Sequence, residues 1–298
     1  MPEARRPSSL EEMQARMALL VTREAYERGL SLKSRASDVF ISPFGKCGTT
    51  WLQQIVHTLR TGGDMDFRDI SEVVPWLEVS LDLGIDLDAP QRAKPRAFKS
   101  HLGWDKIPKP GRYIVSLRDP KDALVSAYRF FEGWFFEPGA ISIDDFAEWR
   151  YLAEPDRGYW AHLLSWWSAR DEPAVLLLSF EEMKLRPREH IERIAAFIGI
   201  PASEQLLDLA LERTSFDYMS RHKDRFDDAA MRERSERVCG LPAGGDSSKV
   251  RLGEVGSHHR ELSAACQSRV DAIWAERIAP ATGCASYEAL RAAVAERA

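Results

Sequence analysis

Residues 38–51 read DVFISPFGKCGTTW. The apolar run Val39-Phe40-Ile41 has the character of a short buried strand, and Leu52, Ile55, Val56 and Leu59 beyond it recur at helical spacing. A strand, a glycine-bearing turn with a lysine, then a helix is how chains cradle phosphate groups, because free N–H groups and the dipole at a helix start favour anions. The stretch departs from the nucleotide-binding pattern G-x-x-x-x-G-K-[ST] at two positions. Cys47 follows Gly45-Lys46 where a magnesium-binding hydroxyl would stand, and Phe40 takes the place of the first glycine. A thiol is a poor magnesium ligand, so the loop suits a phosphate handled without that metal.

Working outward, residues 1–35 are expected to hold an N-terminal helix. Leu10, Met13, Met17, Leu20 and Val21 are spaced for it, with Ser8 or Ser9 as cap. Strands are expected at about 38–42, 96–101, 113–117 and 175–178, the last a continuous apolar run typical of a buried parallel strand. Asp119-Pro120 reads as cap and first residue of a helix through about Phe131. A long helix over 180–198 should end at Gly199, followed by another over 202–213. Residues 61–95 read as loops and short helices. Residues 220–256, rich in charge and then in glycine, read as a solvated loop or as a mobile lid over a ligand, and 260–298 as terminal helices.

Strands alternating with helices predict an α/β single domain over 1–298: a central parallel sheet with helices on both faces and a P-loop-like turn. Such sheets gather ligands at the carboxyl ends of their strands. Lys46 follows the first strand, Lys99 and His101 the second, and Arg118 the third.

Composition narrows the function classes. The 298 residues are 44% hydrophobic and 29% charged, as in a soluble globular chain, and a net charge of −5 argues against broad nucleic-acid binding. Cys47, Cys239, Cys266 and Cys284 have no C-x-x-C spacing, which points away from zinc and disulfides and towards a reducing cytoplasm. No apolar run reaches the ~18 residues of a membrane span, and MPEARRPSSLEEM lacks a signal-peptide core. His258-His259 has no third ligand spaced for a metal, so no metal site is expected.

Several motifs then stand in one order: GKCGTTWL from Gly45, FKSHL at 98–102, YIVSLRDPKDALVSAYRFF at 113–131, SFEEM at 179–183, RTSF at 213–216 and VRLGEVG at 250–256. Together they resemble the cytosolic-type sulfotransferases, from about residue 38 to 260. Those enzymes move a sulfuryl group from 3′-phosphoadenosine 5′-phosphosulfate (PAPS) to a hydroxyl or amine, and release adenosine 3′,5′-bisphosphate (PAP) without a metal.

The resemblance implies roles. Gly45, Lys46, Cys47, Gly48, Thr49, Thr50 and Trp51 would form the 5′-phosphosulfate loop, with Lys46 steadying the bridging oxygen. Arg118, Ser126, Arg251, Leu252 and the Gly253 amide would take the 3′-phosphate, Phe180 would face the cofactor, and Trp51 and Phe216 would sandwich adenine with Thr214 and Ser215 nearby. His101 would be the general base, since imidazole near its usual pKa of ~6.5 accepts a hydroxyl proton at neutral pH, and Lys99 would help hold the transferring group.

The chain departs from the family at Cys47 for serine, Phe180 for tyrosine, Leu252 for lysine and Ser257-His258 for Asp-Trp. Cys47 leaves two readings open: a reactive thiol with a lowered pKa at a helix start, or an inert stand-in for serine. The aromatics of YRFFEGWFF (128–136), with Trp76, Trp149, Tyr151, Tyr159, Trp160, Trp166 and Trp167, favour a small hydrophobic or aromatic hydroxyl acceptor if they line the pocket. No dimerisation motif of the family is found, and a homo-oligomer stays open. The alternatives are a P-loop kinase or NTPase, disfavoured by Cys47, and a non-catalytic PAPS- or PAP-binding relative, disfavoured because both His101 and Lys46 are present.

Overall fold

The computed structural model describes residues 4–245, 249 and 253–296. Four parallel strands, β1 (Val39–Ile41), β2 (Ala97–Lys99), β3 (Arg112–Leu117) and β4 (Val175–Ser179), lie in the order β2-β1-β3-β4. The chain leaves β1 to one side for β2 and returns to the other for β3, so the crevice between β1 and β3 is the switch point at which such sheets bind ligands.

Alternation along the strands divides the core. Phe40, Phe98 and Tyr113 are in register and point to one face, with Phe40 ring centroids 5.6 Å and 5.4 Å from the other two. Val39, Ile41, Ala97, Ile114 and Leu178 point to the other face, against the helices Thr49–Thr61 and Pro187–Ile198. The first face is covered by Pro120–Trp134 and Gly158–Ser168. Both faces of the sheet are therefore buried, which is why the strands are mostly apolar, with Lys99 and Ser179 at the carboxyl ends of β2 and β4.

Three expectations need correction. The N-terminal segment is two helices, Leu10–Met17 capped by Ser9 and Arg23–Leu30 capped by Thr22. The helix expected over 180–198 is also two, Phe180–Leu185 and Pro187–Ile198, because the residue before a proline is driven out of helical geometry and Arg186 sits at ψ 60°. Residues 220–256 are not simply a loop: Ala229–Cys239 is helical, burying Met231, Ser235 and Cys239 at four-residue spacing. The Asp119 cap is as expected, accepting from Lys121 and Asp122 amides, and its helix runs on to Trp134.

Candidate active site

A cavity of about 840 Å³ opens at the carboxyl ends of the strands. The loop after β1 forms its floor. Gly48 caps the helix Thr49–Thr61 at φ 95°, and a Cβ there would lie 3.0 Å from Phe180 and 3.3 Å from Ser116, so only glycine fits. Lys46 also takes the left-handed region (φ 72°), a strained backbone of the kind concentrated at ligand sites. The first helical hydrogen bond runs from Leu52 N–H to Gly48 O, which leaves the amides of Thr49, Thr50 and Trp51 ahead of the ladder.

Lys46 Nζ rests 4.3 Å from the centroid of the Phe130 ring. Burial, reinforced by the Lys249 and Arg118 cations, lowers its pKa to about 7. Cys47 points away from the cavity and is 1% exposed. Its amide donates to Phe44 O at 3.0 Å and its carbonyl accepts from the Ser116 hydroxyl. This corrects the place of the Cys47 amide in the phosphosulfate loop and separates the two readings left open for its thiol. The Cys47 N–H is spent inside the turn, and burial pushes the thiol up to about 12 where the reactive reading required it to fall.

After β2, Lys99 donates to Asp228 Oδ2 at 3.0 Å and lies 3.9 Å from the Trp76 ring centroid. Burial lowers its pKa to about 8 despite Asp228. Asp228 accepts from Ser71 Oγ at 2.9 Å and also pairs with Lys249. Burial opposes its ionisation, but the two lysines outweigh it and hold the carboxyl below its usual range. His101 directs Nδ1 to Pro43 O at 2.7 Å, and its amide donates to Glu78 at 2.7 Å. Burial, aided by the Lys99 charge, lowers its pKa to about 3, well under the ordinary imidazole value from which its basicity was expected.

After β3, Arg118 donates to Lys46 O and to Glu254 O, each at 3.0 Å, and its guanidinium carbon lies 4.5 Å from the Phe180 ring centroid. One side chain thus ties the phosphate loop to the 253–257 segment. Asp122 anchors the same segment, accepting from the Gly256 amide at 2.6 Å and from His258 Nδ1 at 2.8 Å. That hydrogen bond raises the His258 pKa. His258 is therefore a clasp, and among the described residues no cluster of three metal-binding side chains exists.

Trp51, Ser126, Phe180, Thr214, Ser215, Phe216 and Gly253 all line the cavity. Phe216 is 45% exposed and lies against Gly253, where a Cβ would meet its ring at 3.3 Å. Thr214 Oγ1 donates to Ala210 O at 2.7 Å and Ser215 caps the helix Phe216–Arg221, so both hydroxyls already serve the backbone. Arg251 and Leu252 lie outside the described residues. Thr49 Oγ1, Trp51 Nε1 and Arg118 Nε are buried without a hydrogen-bond partner among the described residues. Such orphaned donors at a loop of this kind fit a phosphate-bearing adenine nucleotide.

The aromatics divide. Phe130, Phe131, Trp134 and Trp76 line the cavity, whereas Tyr151, Tyr159, Trp160, Trp166 and Trp167 are buried core and Trp149 packs against that core. Sequence reasoning missed Asp228, Lys249 and Arg150, none of which belongs to a motif. All four cysteines are free and buried, and among the described residues no helix is long and apolar enough to cross a membrane.

Comparison with known proteins bears on the family and the fold. The sulfotransferase domain matches residues 36–281. Mouse sulfotransferase 1B1 is 33% identical over 207 residues, covering 65% of this chain and 69% of its own. Rat sulfotransferase 1C2 is 25% identical over 289 residues, covering 93% and 95%. Among solved structures, mouse sulfotransferase SULT7A1 complexed with PAP superposes with a TM-score of 0.63 at 23% identity, over 86% of this chain and 89% of the other. Retinol dehydratase in complex with retinol and PAP gives 0.65 at 19%, over 91% and 95%. With the family's domain spanning most of its length, the chain belongs to the sulfotransferase family, the PAPS-dependent enzymes that its motifs resemble.

Proposed function

We propose that this chain transfers the sulfuryl group of PAPS to a hydroxyl of a small, hydrophobic or aromatic acceptor, by in-line displacement with His101 as general base. The observation that carries the reading is the convergence of Lys46, Lys99, His101 and Arg118, from three strand ends, on one cavity. PAPS, when bound, supplies a sulfuryl group on a phosphate leaving group.

The residues present fit that donor. The Thr49–Trp51 amides and the hydroxyls of Thr49 and Thr50 hold the 5′-phosphate, and Lys46 offsets charge as it builds on the bridging oxygen. Arg118 and Ser126, with the Gly253 segment, take the 3′-phosphate, and Trp51, Phe180 and Phe216 enclose the base. His101 presents Nε2 to the acceptor hydroxyl because Nδ1 is committed to Pro43. Burial is the larger cause of its depressed basicity and the Lys99 charge the smaller; an anion held beside Lys99 would offset that charge and raise the capacity of His101 to accept a proton.

Phe130, Phe131, Trp134 and Trp76 form the apolar wall that favours a ring-bearing or lipid-like alcohol. Retinol dehydratase, of the same fold, was solved with retinol and with androsterone. We read residues 1–298 as one such domain, working in the cytoplasm on small molecules rather than nucleic acid.

The test is thermal-shift binding of PAP against ATP·Mg²⁺ and adenosine 5′-phosphosulfate, followed by radiolabelled PAPS transfer to a panel of phenols, alcohols and sugars. Preference for PAP with transfer to phenols or apolar alcohols is expected. Preference for ATP·Mg²⁺ overturns the donor, and sulfation of polar sugars alone overturns the acceptor class.

A further inference from the structure

The cations of the cavity are mostly answered by protein groups. Lys99 and Lys249 pair with Asp228, Arg232 with Asp227 at 2.8 Å, Arg118 bonds two carbonyls, and Lys184 donates to Gly253 O. Lys46 faces the donor. Arg150 stands apart. Among the described residues it has no hydrogen bond or ion pair, and its Nε is buried without an acceptor. Its guanidinium carbon lies 5.3 Å from the centroid of Phe131 and 5.6 Å from those of Phe44 and Trp149. Arg150 is only partly exposed, and ring faces recover only part of the hydration such a cation loses. The side chain still reaches the cavity, beside the loop: a Cβ on Gly45 would lie 3.9 Å from Nη2.

We propose that Arg150 binds an anionic group carried by the acceptor, so that the preferred substrates are hydroxylated aromatic or apolar carboxylic acids. This rests on the sulfotransfer reading and deepens it. The guanidinium belongs to the acceptor side because Phe131, on which it lies, continues the wall of Phe130 and Trp134, while the donor's phosphates already have Lys46, the helix start and Arg118. A planar fork suits a carboxylate held bidentately.

The test compares 4-hydroxyphenyl acids, with one to three methylenes before the carboxylate, against their methyl esters. Binding to the PAP complex is read by calorimetry, and kcat/KM by PAPS-dependent turnover. The wild type should favour the best acid over its ester by at least about tenfold, as loss of a hydrogen bond to a charged group implies. Arg150→Met and Arg150→Gln should bring that ratio near one while leaving the KM for PAPS in place. Because it is a ratio, a partly unfolded variant does not alter it, and the two substitutions cross-check one another. Equal binding of acid and ester by the wild type, or a change confined to PAPS, overturns the proposal. Acid binding that depends on Arg150 with no sulfation of any phenol supports the Arg150–carboxylate contact and contradicts the acceptor reading from which the substrate class was drawn.

Discussion

His101 holds its Nδ1 2.7 Å from the carbonyl oxygen of Pro43, and that contact selects the nitrogen available for chemistry. A carbonyl can only accept, so the proton sits on Nδ1 and Nε2 carries the free lone pair. The ring is steadied further by Trp76, edge-on with centroids 5.2 Å apart. His101→Ala is expected to lower kcat by roughly 10²–10⁴-fold, the usual worth of a positioned base, with PAP affinity little changed. Initial rates at saturating PAPS beside a PAP titration check this; full turnover in the variant removes His101 as the base.

Lys46 makes donor affinity depend on pH in a stated direction. Its pKa is lowered to about 7 by burial, yet the contact proposed for it with the phosphosulfate needs the ammonium form. Above that pH a proton must be taken up on binding, so PAP affinity should weaken by up to about tenfold per unit as pH rises from 7 to 8. Lys99, at about 8, extends the trend. Calorimetry in two buffers of different ionisation enthalpy measures the uptake directly. Lys46→Met should bind weakly and lose most of the dependence between pH 7 and 8.

The parts of the site that sequence could disclose are those where backbone demands leave no choice of residue. Gly48 must be glycine for both its φ and its approach to Phe180, and Pro120 and Asp119 suit a helix start, so these positions wrote recognisable motifs. Arg150 wrote none. It projects from a π-helical turn, Glu148–Leu152, whose geometry shifts a side chain off the face that α-helical spacing would assign. Asp228 was hidden because its helix buries Met231, Ser235 and Cys239, a stripe too weakly apolar to stand out from the surrounding charges.

Asp228 should act on stability and on binding with opposite signs. It sits in the left-handed region (φ 49°), which asparagine tolerates, so Asp228→Asn removes charge with little backbone penalty. Lys99 and Lys249 are then left buried without their counter-ion, which costs on the order of 3 kcal/mol. The same change makes the cavity more positive and should tighten PAP. Chemical denaturation and PAP titration of the one variant decide it; weaker PAP binding in a correctly folded variant contradicts the argument.

Cys47 should be the inert position its burial dictates. With the thiol pushed up to about 12 and 1% exposed, almost no thiolate exists at pH 8. Iodoacetamide labelling read by mass spectrometry should be slow at Cys47 and unaltered by PAP. Fast labelling that PAP suppresses would restore the reactive reading.

Acid should destabilise the protein through its neutral histidines. Burial lowers His57 and His162 to about 4 and His101 to about 3. A depressed folded-state pKa gives stability that is complete above the unfolded value near 6.5 and is lost as pH falls from there towards 4, on the order of 2 kcal/mol for each group. His258 works the other way, since its pairing with Asp122 raises its pKa and its contribution fades as pH rises through that value. His162 bonds Ser42 O through Nε2 at 3.0 Å, a contact that a glutamine amide can imitate. His162→Gln should therefore lose less Tm than the wild type between pH 6.5 and 4, while the two remain similar at pH 7.5. Parallel Tm–pH curves would show that His162 titrates alike in the folded and unfolded chains.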